Sequence, residues 1–138
     1  MKKQIAVGML ACLFLLGTAV AAKDAPKIPR TLANARYVYV TAYDGDEFNP
    51  ELLPEDRAAI NTVQDVIRQW GKLTLVYRPE EADVILMVES RPSEDVLAVY
   101  DADMPQTYLW RAMGRSGLQK GETPLFSEFE KAWKQMTN

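Results

Sequence analysis

Five apolar residues in a row, Val84-Ile85-Leu86-Met87-Val88, entered through Arg78-Pro79-Glu80-Glu81-Ala82-Asp83 and left at Glu89-Ser90, constrain the fold of this chain more than any other stretch. The run is too short for a buried helix and is rich in residues that suit strands. Side chains alternate along a strand, so Val84, Leu86 and Val88 point one way and Ile85 and Met87 the other. A strand apolar on both sides belongs at the centre of a sheet, with cover on each face.

The flanking segments supply that sheet. Arg36–Tyr43 (R-Y-V-Y-V-T-A-Y) is dense in β-branched and aromatic residues and ends at Asp44-Gly45-Asp46, which reads as a first strand closed by a turn. Its alternation sends Val38, Val40 and Ala42 to one face and Tyr37, Tyr39, Thr41 and Tyr43 to the other. After a loop through Asn49-Pro50, Pro54 sits where proline suits a first helical turn, with Glu55 and Asp56 at the positive end of the dipole. Ala59, Ile60, Val63, Val66, Ile67 and Trp70 follow at helical spacing, and Gly71 ends the helix.

Leu73–Arg78 reads as a second strand, and a strand-helix-strand connection places it parallel to the first. One helical turn fits at Pro79–Ala82 before the central strand at 83–90. Val96–Asp101 reads as strand four, Met104-Pro105-Gln106 as a turn and Thr107–Met113 as strand five. Gly114–Gly121 reads as a mobile glycine-rich loop. Thr123-Pro124 then opens a closing helix whose stripe is Leu125, Phe126, Phe129, Ala132, Trp133 and Met136. The order is β-α-β-β-β-β-α, an α+β two-layer sandwich with both helices on one face of a mixed five-stranded sheet. The helix side takes Val38, Val40, Leu97, Val99, Ile60, Val63, Ile67, Phe129 and Trp133, and the other side has no helix to cover it.

The amino terminus has a different character. Lys2 and Lys3 precede an apolar run from Ile5 to Val20 that ends in Ala19-Val20-Ala21-Ala22, the layout of a secretory signal peptide over residues 1–21 cleaved after Ala21 or Ala22. A retained anchor is the rival reading, but the run is shorter than the about 20 residues a spanning helix needs. Met9-Leu10-Ala11-Cys12 has the look of a lipoprotein signal, yet the apolar segment continues past Cys12. Residues 22–33, with Pro26 and Pro29, read as a tether to one domain at 34–138.

Export changes the chemistry available. Loss of Lys2 and Lys3 leaves 14 basic residues against 19 acidic ones, a net charge of −5, which does not suit nucleic acid or an anionic lipid surface. The single cysteine leaves with the peptide, and the chain has no histidine, the commonest general base and transition-metal ligand. No cofactor motif is present, and a domain of about 115 residues can hold one core without disulfides.

Taken together, Tyr37-Val38-Tyr39-Val40, the helix end Trp70-Gly71, the turn Pro79-Glu80-Glu81-Ala82-Asp83 into an apolar strand, Val99-Tyr100-Asp101 and Leu109-Trp110-Arg111 resemble the small periplasmic α/β domains of the TolB amino-terminal and LpoB type. The resemblance runs from Arg36 to Trp133. The Thr-Gly turn usual before the last strand of that type is replaced by Asp103-Met104-Pro105-Gln106. It implies a fold, an envelope location and non-enzymatic binding, and it carries over no binding residue.

Several clusters invite a functional reading. Asp44-Gly45-Asp46-Glu47 and Asp101-Ala102-Asp103 offer hard oxygen ligands but lack calcium-loop spacing, and read as solvated turns, with no metal site. Glu89 ends a buried strand, where a carboxyl with Asp101 and Asp103 would serve a small hydrolase, or where it simply reaches solvent or pairs with Arg111. Gly114-Arg115-Ser116-Gly117 lacks phosphate-loop spacing, and Ser90, Ser93, Ser116 and Ser127 have no histidine partner.

The tyrosines make the best case. Tyr37, Tyr39, Tyr43 and Tyr100 fall on the uncovered sheet face, joined either by Tyr108 with Trp110 or by Leu109 with Met113, since a one-residue shift exchanges the faces of strand five. Aromatics with a polar handle are enriched where proteins meet. The expectation is a non-catalytic envelope domain that binds a protein or polymer partner, or a second copy, through that face, without stable membrane insertion. The alternatives are the carboxylate hydrolase and a secreted inhibitor acting through loops 44–53 or 114–122.

Overall fold

The computed structural model describes residues 30–119 and 123–137, so the expected signal peptide and most of the tether lie outside the described residues. A helical turn, α1 (Arg30–Ala33), leads into β1 (Tyr37–Ala42), α2 (Pro54–Trp70), β2 (Thr74–Val76), a 3₁₀ turn at Pro79–Glu81, β3 (Val84–Ser90), β4 (Asp95–Asp101), β5 (Met104–Gly114) and α3 (Pro124–Thr137). The strands form one mixed sheet in the order β2-β1-β3-β4-β5, with β3 at its centre as the apolar run requires. β1 runs parallel to β2 and β3, and β4 and β5 continue antiparallel.

Alternation fixes what each face carries. Val38, Val40 and Ala42 of β1, Val84, Leu86 and Val88 of β3, and Leu97 and Val99 of β4 are buried beneath the helices. From α2 come Ala59, Ile60, Val63 and Ile67, and from α3 Leu125, Phe126, Phe129 and Trp133. Trp70, at the end of α2, stands edge-on to Phe126, Phe129 and Trp133 at 5.6, 5.8 and 5.4 Å between ring centroids, which locks the two helices side by side. Gly71 then turns left-handed at φ +73° and its N–H returns to the Ile67 carbonyl, so the helix stops where the sequence places a glycine.

The turn before the central strand has a structural task. Asp83 Oδ2 accepts the backbone N–H groups of Arg36 and Tyr37 at 2.9 and 3.1 Å, and its own N–H donates to the Tyr37 carbonyl. The aspartate that leads into β3 thereby sets where β1 begins.

Three expectations need correction. The fold starts before residue 34, because Leu32 in α1 is fully buried in the core and Ala35 is buried beside it. Met104-Pro105-Gln106 is not a turn but the start of an eleven-residue β5, and the chain reverses at Asp101–Asp103, where the Asp103 N–H donates to Asp101 Oδ1. Pro105 is tolerated because β5 is an edge strand, whose outer side needs no ladder partner. Finally, the described part of the glycine-rich loop is anchored: Leu118 is buried in the core and its N–H donates to Asp95 Oδ2 at 2.9 Å.

Candidate binding face

The sheet register places side chains in lines across the face opposite the helices. Val76, Tyr39, Ile85, Tyr100 and Tyr108 form one line spanning all five strands. Thr41, Met87, Ala98 and Arg111 form the next, and Glu89, Val96 and Met113 a third. No described helix lies on this side, so Ile85, Met87, Val96 and Tyr100 are only half-buried, shielded by their neighbours in the sheet.

The six aromatic candidates do not share one role. Tyr37 and Tyr108 are 45% and 56% exposed, and Tyr43, just past the end of β1, is more open still. Tyr100 is half-buried and meets Tyr108 edge to face at 6.4 Å. Tyr39 is only 7% exposed and donates its hydroxyl to Asp46 Oδ2 at 2.7 Å, while Asp46 Oδ1 takes the Phe48 N–H. Burial, then the hydrogen bond to Asp46 and the charge of that carboxylate, push the Tyr39 hydroxyl well above its ordinary pKa. It is a latch for the loop after β1 rather than a free contact.

Trp110 is the correction. It lies on the helix side, 5.5 Å from the Phe129 ring, because β5 carries a bulge: Val99 pairs with Trp110 but Tyr100 pairs with Tyr108, leaving Leu109 as the extra residue. The bulge sends Tyr108 and Trp110 to opposite faces, and Met113 and Arg111 join the tyrosine side. The face therefore has an apolar centre at Ile85, Met87, Val96 and Ala98, bordered by Tyr37, Tyr108, Arg111 and Glu89. An apolar centre with an aromatic and charged border is what protein recognition surfaces use.

The Asp101–Asp103 turn stands apart from both Glu89 and Asp44–Glu47. Glu89 pairs in register with Val96 while Asp101 pairs with Val84, so Glu89 and the Asp101–Asp103 turn stand at opposite ends of β3 and do not form the hydrolase pair. For the same reason Asp44–Glu47, beyond the far end of β1, does not converge with Asp101–Asp103. Among the described residues no group of three histidine, cysteine or carboxylate side chains is placed to hold a metal.

Glu89 pairs with Arg91 instead of Arg111, at 3.4 Å from its Nε. Arg91 is the centre of a network that the sequence did not single out. Its Nη1 donates to both oxygens of Asp56 at 3.0 and 3.1 Å, and its Nη2 approaches Asp44 at 3.4 Å. The hydrogen bond to Asp56 is the leading cause that raises the Arg91 pKa.

Asp56, in the first turn of α2 and fully buried, also accepts the Ser90 N–H. Ser90 Oγ donates to Asp95 Oδ1, and Asp95 in turn holds Leu118. Above this network opens a cavity of about 560 Å³ reached by Asn61, Asp65 and Ser116. A signal was available: Asp56, Ile60, Val63 and Ile67 share one helical face, so the aspartate had to point into the sheet.

No protein-family model matches this chain, and no curated protein or solved structure does either. The resemblance to TolB amino-terminal and LpoB-type domains thus rests on the sequence features alone. No described helix is long and apolar enough to cross a membrane.

Proposed function

We propose that this protein is an exported, non-catalytic cell-envelope domain that binds a protein or polymer partner through the bare face of its sheet. One observation carries the reading: an apolar field around Ile85 and Met87, continuous across the strands and edged by exposed Tyr37 and Tyr108, has no described segment stacked on it. Exposed apolar fields with a polar border mark interaction sites on folded domains. The basic start, apolar run and Ala19-Val20-Ala21 ending support delivery outside the cytoplasm, and the resemblance to small periplasmic α/β domains points to the same compartment.

Site-specific photo-crosslinking in producing cells tests the docking reading. A photoreactive residue replacing Tyr108 or Met113 should give a discrete adduct, and Tyr37→Ser should weaken it. The same probe at Gln69, exposed on α2, should give none. No adduct from the sheet face, or equal adducts from Gln69, would remove the reading. Intact mass of the recovered protein checks export through loss of residues 1–21 or 1–22.

A further inference from the structure

A second surface, on the helix layer, has chemistry of its own. The end of α2 and the outer flank of α3 enclose a groove of about 680 Å³ lined by Trp70, Lys72, Lys131, Trp133, Lys134 and Thr137, with Glu130 its only carboxylate. The two indoles stand nearly perpendicular, 5.4 Å apart at 79°, and line one side of the groove with apolar ring atoms. Lys72, Lys131 and Lys134 are every lysine among the described residues, and all three meet here.

Charge makes this placement informative. The full chain is acidic, at −3, yet none of the three lysines lies within ion-pair distance of a carboxylate among the described residues, whereas Arg68, Arg78 and Arg91 are paired. An unpaired cationic cluster beside an aromatic wall selects for a ligand with both halves: a negative head for the ammonium groups and an apolar body for the indoles. The volume falls within the range of small-molecule sites.

We infer that this groove binds a small amphipathic anion, a carboxylate or phosphate carried on an apolar body. This does not depend on the sheet-face reading, because the groove lies on the opposite layer. Two sources share that chemistry, an acyl chain acid and an aryl phosphate, and the test keeps them apart.

Dodecanoate below its micelle concentration and 1-naphthyl phosphate are titrated separately into the protein as recovered from expressing cells, following tryptophan emission and heat. Saturable binding of at least one is expected, weakened about tenfold by Lys131→Gln/Lys134→Gln, the loss of about one charge-assisted contact. Wild-type affinity should also fall as salt rises from 20 to 300 mM, since exposed charges are screened over that range. Trp133→Phe should reduce the emission change and weaken binding, because its indole lines the groove.

Both lysines are exposed, so their replacement should leave the urea midpoint in place. Lys72→Gln, outside the helices, provides a second variant. Dodecanoate alone binding assigns an acyl source, and naphthyl phosphate alone an aryl source. Equal affinity for dodecanol, equal affinity for inorganic phosphate, binding unchanged in the lysine variants, or no saturable binding would each overturn the inference.

Discussion

Tyr39 shows how much a single hydroxyl settles. It sits on the face proposed for docking, yet it is buried and committed to Asp46, so its contribution is to hold the loop after β1 in place. Removing the hydroxyl by Tyr39→Phe should cost about 1 kcal/mol at pH 8, the usual net value of one hydrogen bond, read as a shift in the urea midpoint. The pH dependence carries a sign. An unfolded tyrosine ionises near its reference pKa of 10.0, while the native hydroxyl holds its proton to higher pH. The stabilisation is therefore complete below pH 10 and is lost as pH climbs through the raised native value. Wild-type stability should fall more steeply between pH 9 and 11 than that of Tyr39→Phe, and parallel declines would contradict the assignment. Asp56 teaches a related lesson, because a carboxylate that reads as a helix-dipole partner is in fact the buried anchor for Ser90 and Arg91.

At the level of elements, the strands and helices were legible because their signals are local: alternation in Tyr37–Ala42, an apolar stripe from Ala59 to Ile67, and Pro54 and Gly71 at the two ends of α2. What the sequence left open depended on pairing. A bulge is decided by the partner strand, and nothing local in Thr107–Met113 tells whether Tyr108 and Trp110 share a face. The same holds for Pro105, which reads as a turn residue until β5 is known to be an edge. Leu118 was likewise hidden, since the carboxylate that holds its backbone N–H comes from Asp95 on a distant strand. The bulge has a direct consequence for stability. Trp110 packs on Phe129 beneath the helices, so Trp110→Ala should cost about 3 kcal/mol. Tyr108, two residues earlier and more than half exposed, should cost under about 1 kcal/mol on truncation to alanine. Denaturant curves of the two variants compare the faces directly, and similar losses would mean that the bulge is absent in solution.

For the molecule as a whole, the central strand poses the question that the two layers answer only in part. Val84, Leu86 and Val88 find full cover from α2 and α3, whereas among the described residues Ile85 and Met87 are shielded only by lateral neighbours. A sheet with one packed face is a stable architecture, but it ordinarily carries polar residues on the other side. Here that side keeps Ile85, Met87, Val96 and Ala98 in its middle, which a solitary domain does not need for its own core. The asymmetry gives a measurable contrast between adjacent residues. Leu86→Ala should destabilise the isolated protein by about 3 kcal/mol through the cavity it leaves. Met87→Ala should cost about 1 kcal/mol, in line with the partial area it buries. That small cost should be independent of protein concentration if the face is bare in the free protein. If a second copy covers the face, the melting temperature of the wild type will rise with concentration by mass action, and Met87→Ala will erase that rise while Leu86→Ala leaves its slope intact. Melting curves across a hundredfold range of concentration thus separate a self-associating domain from one that keeps the face for a different partner.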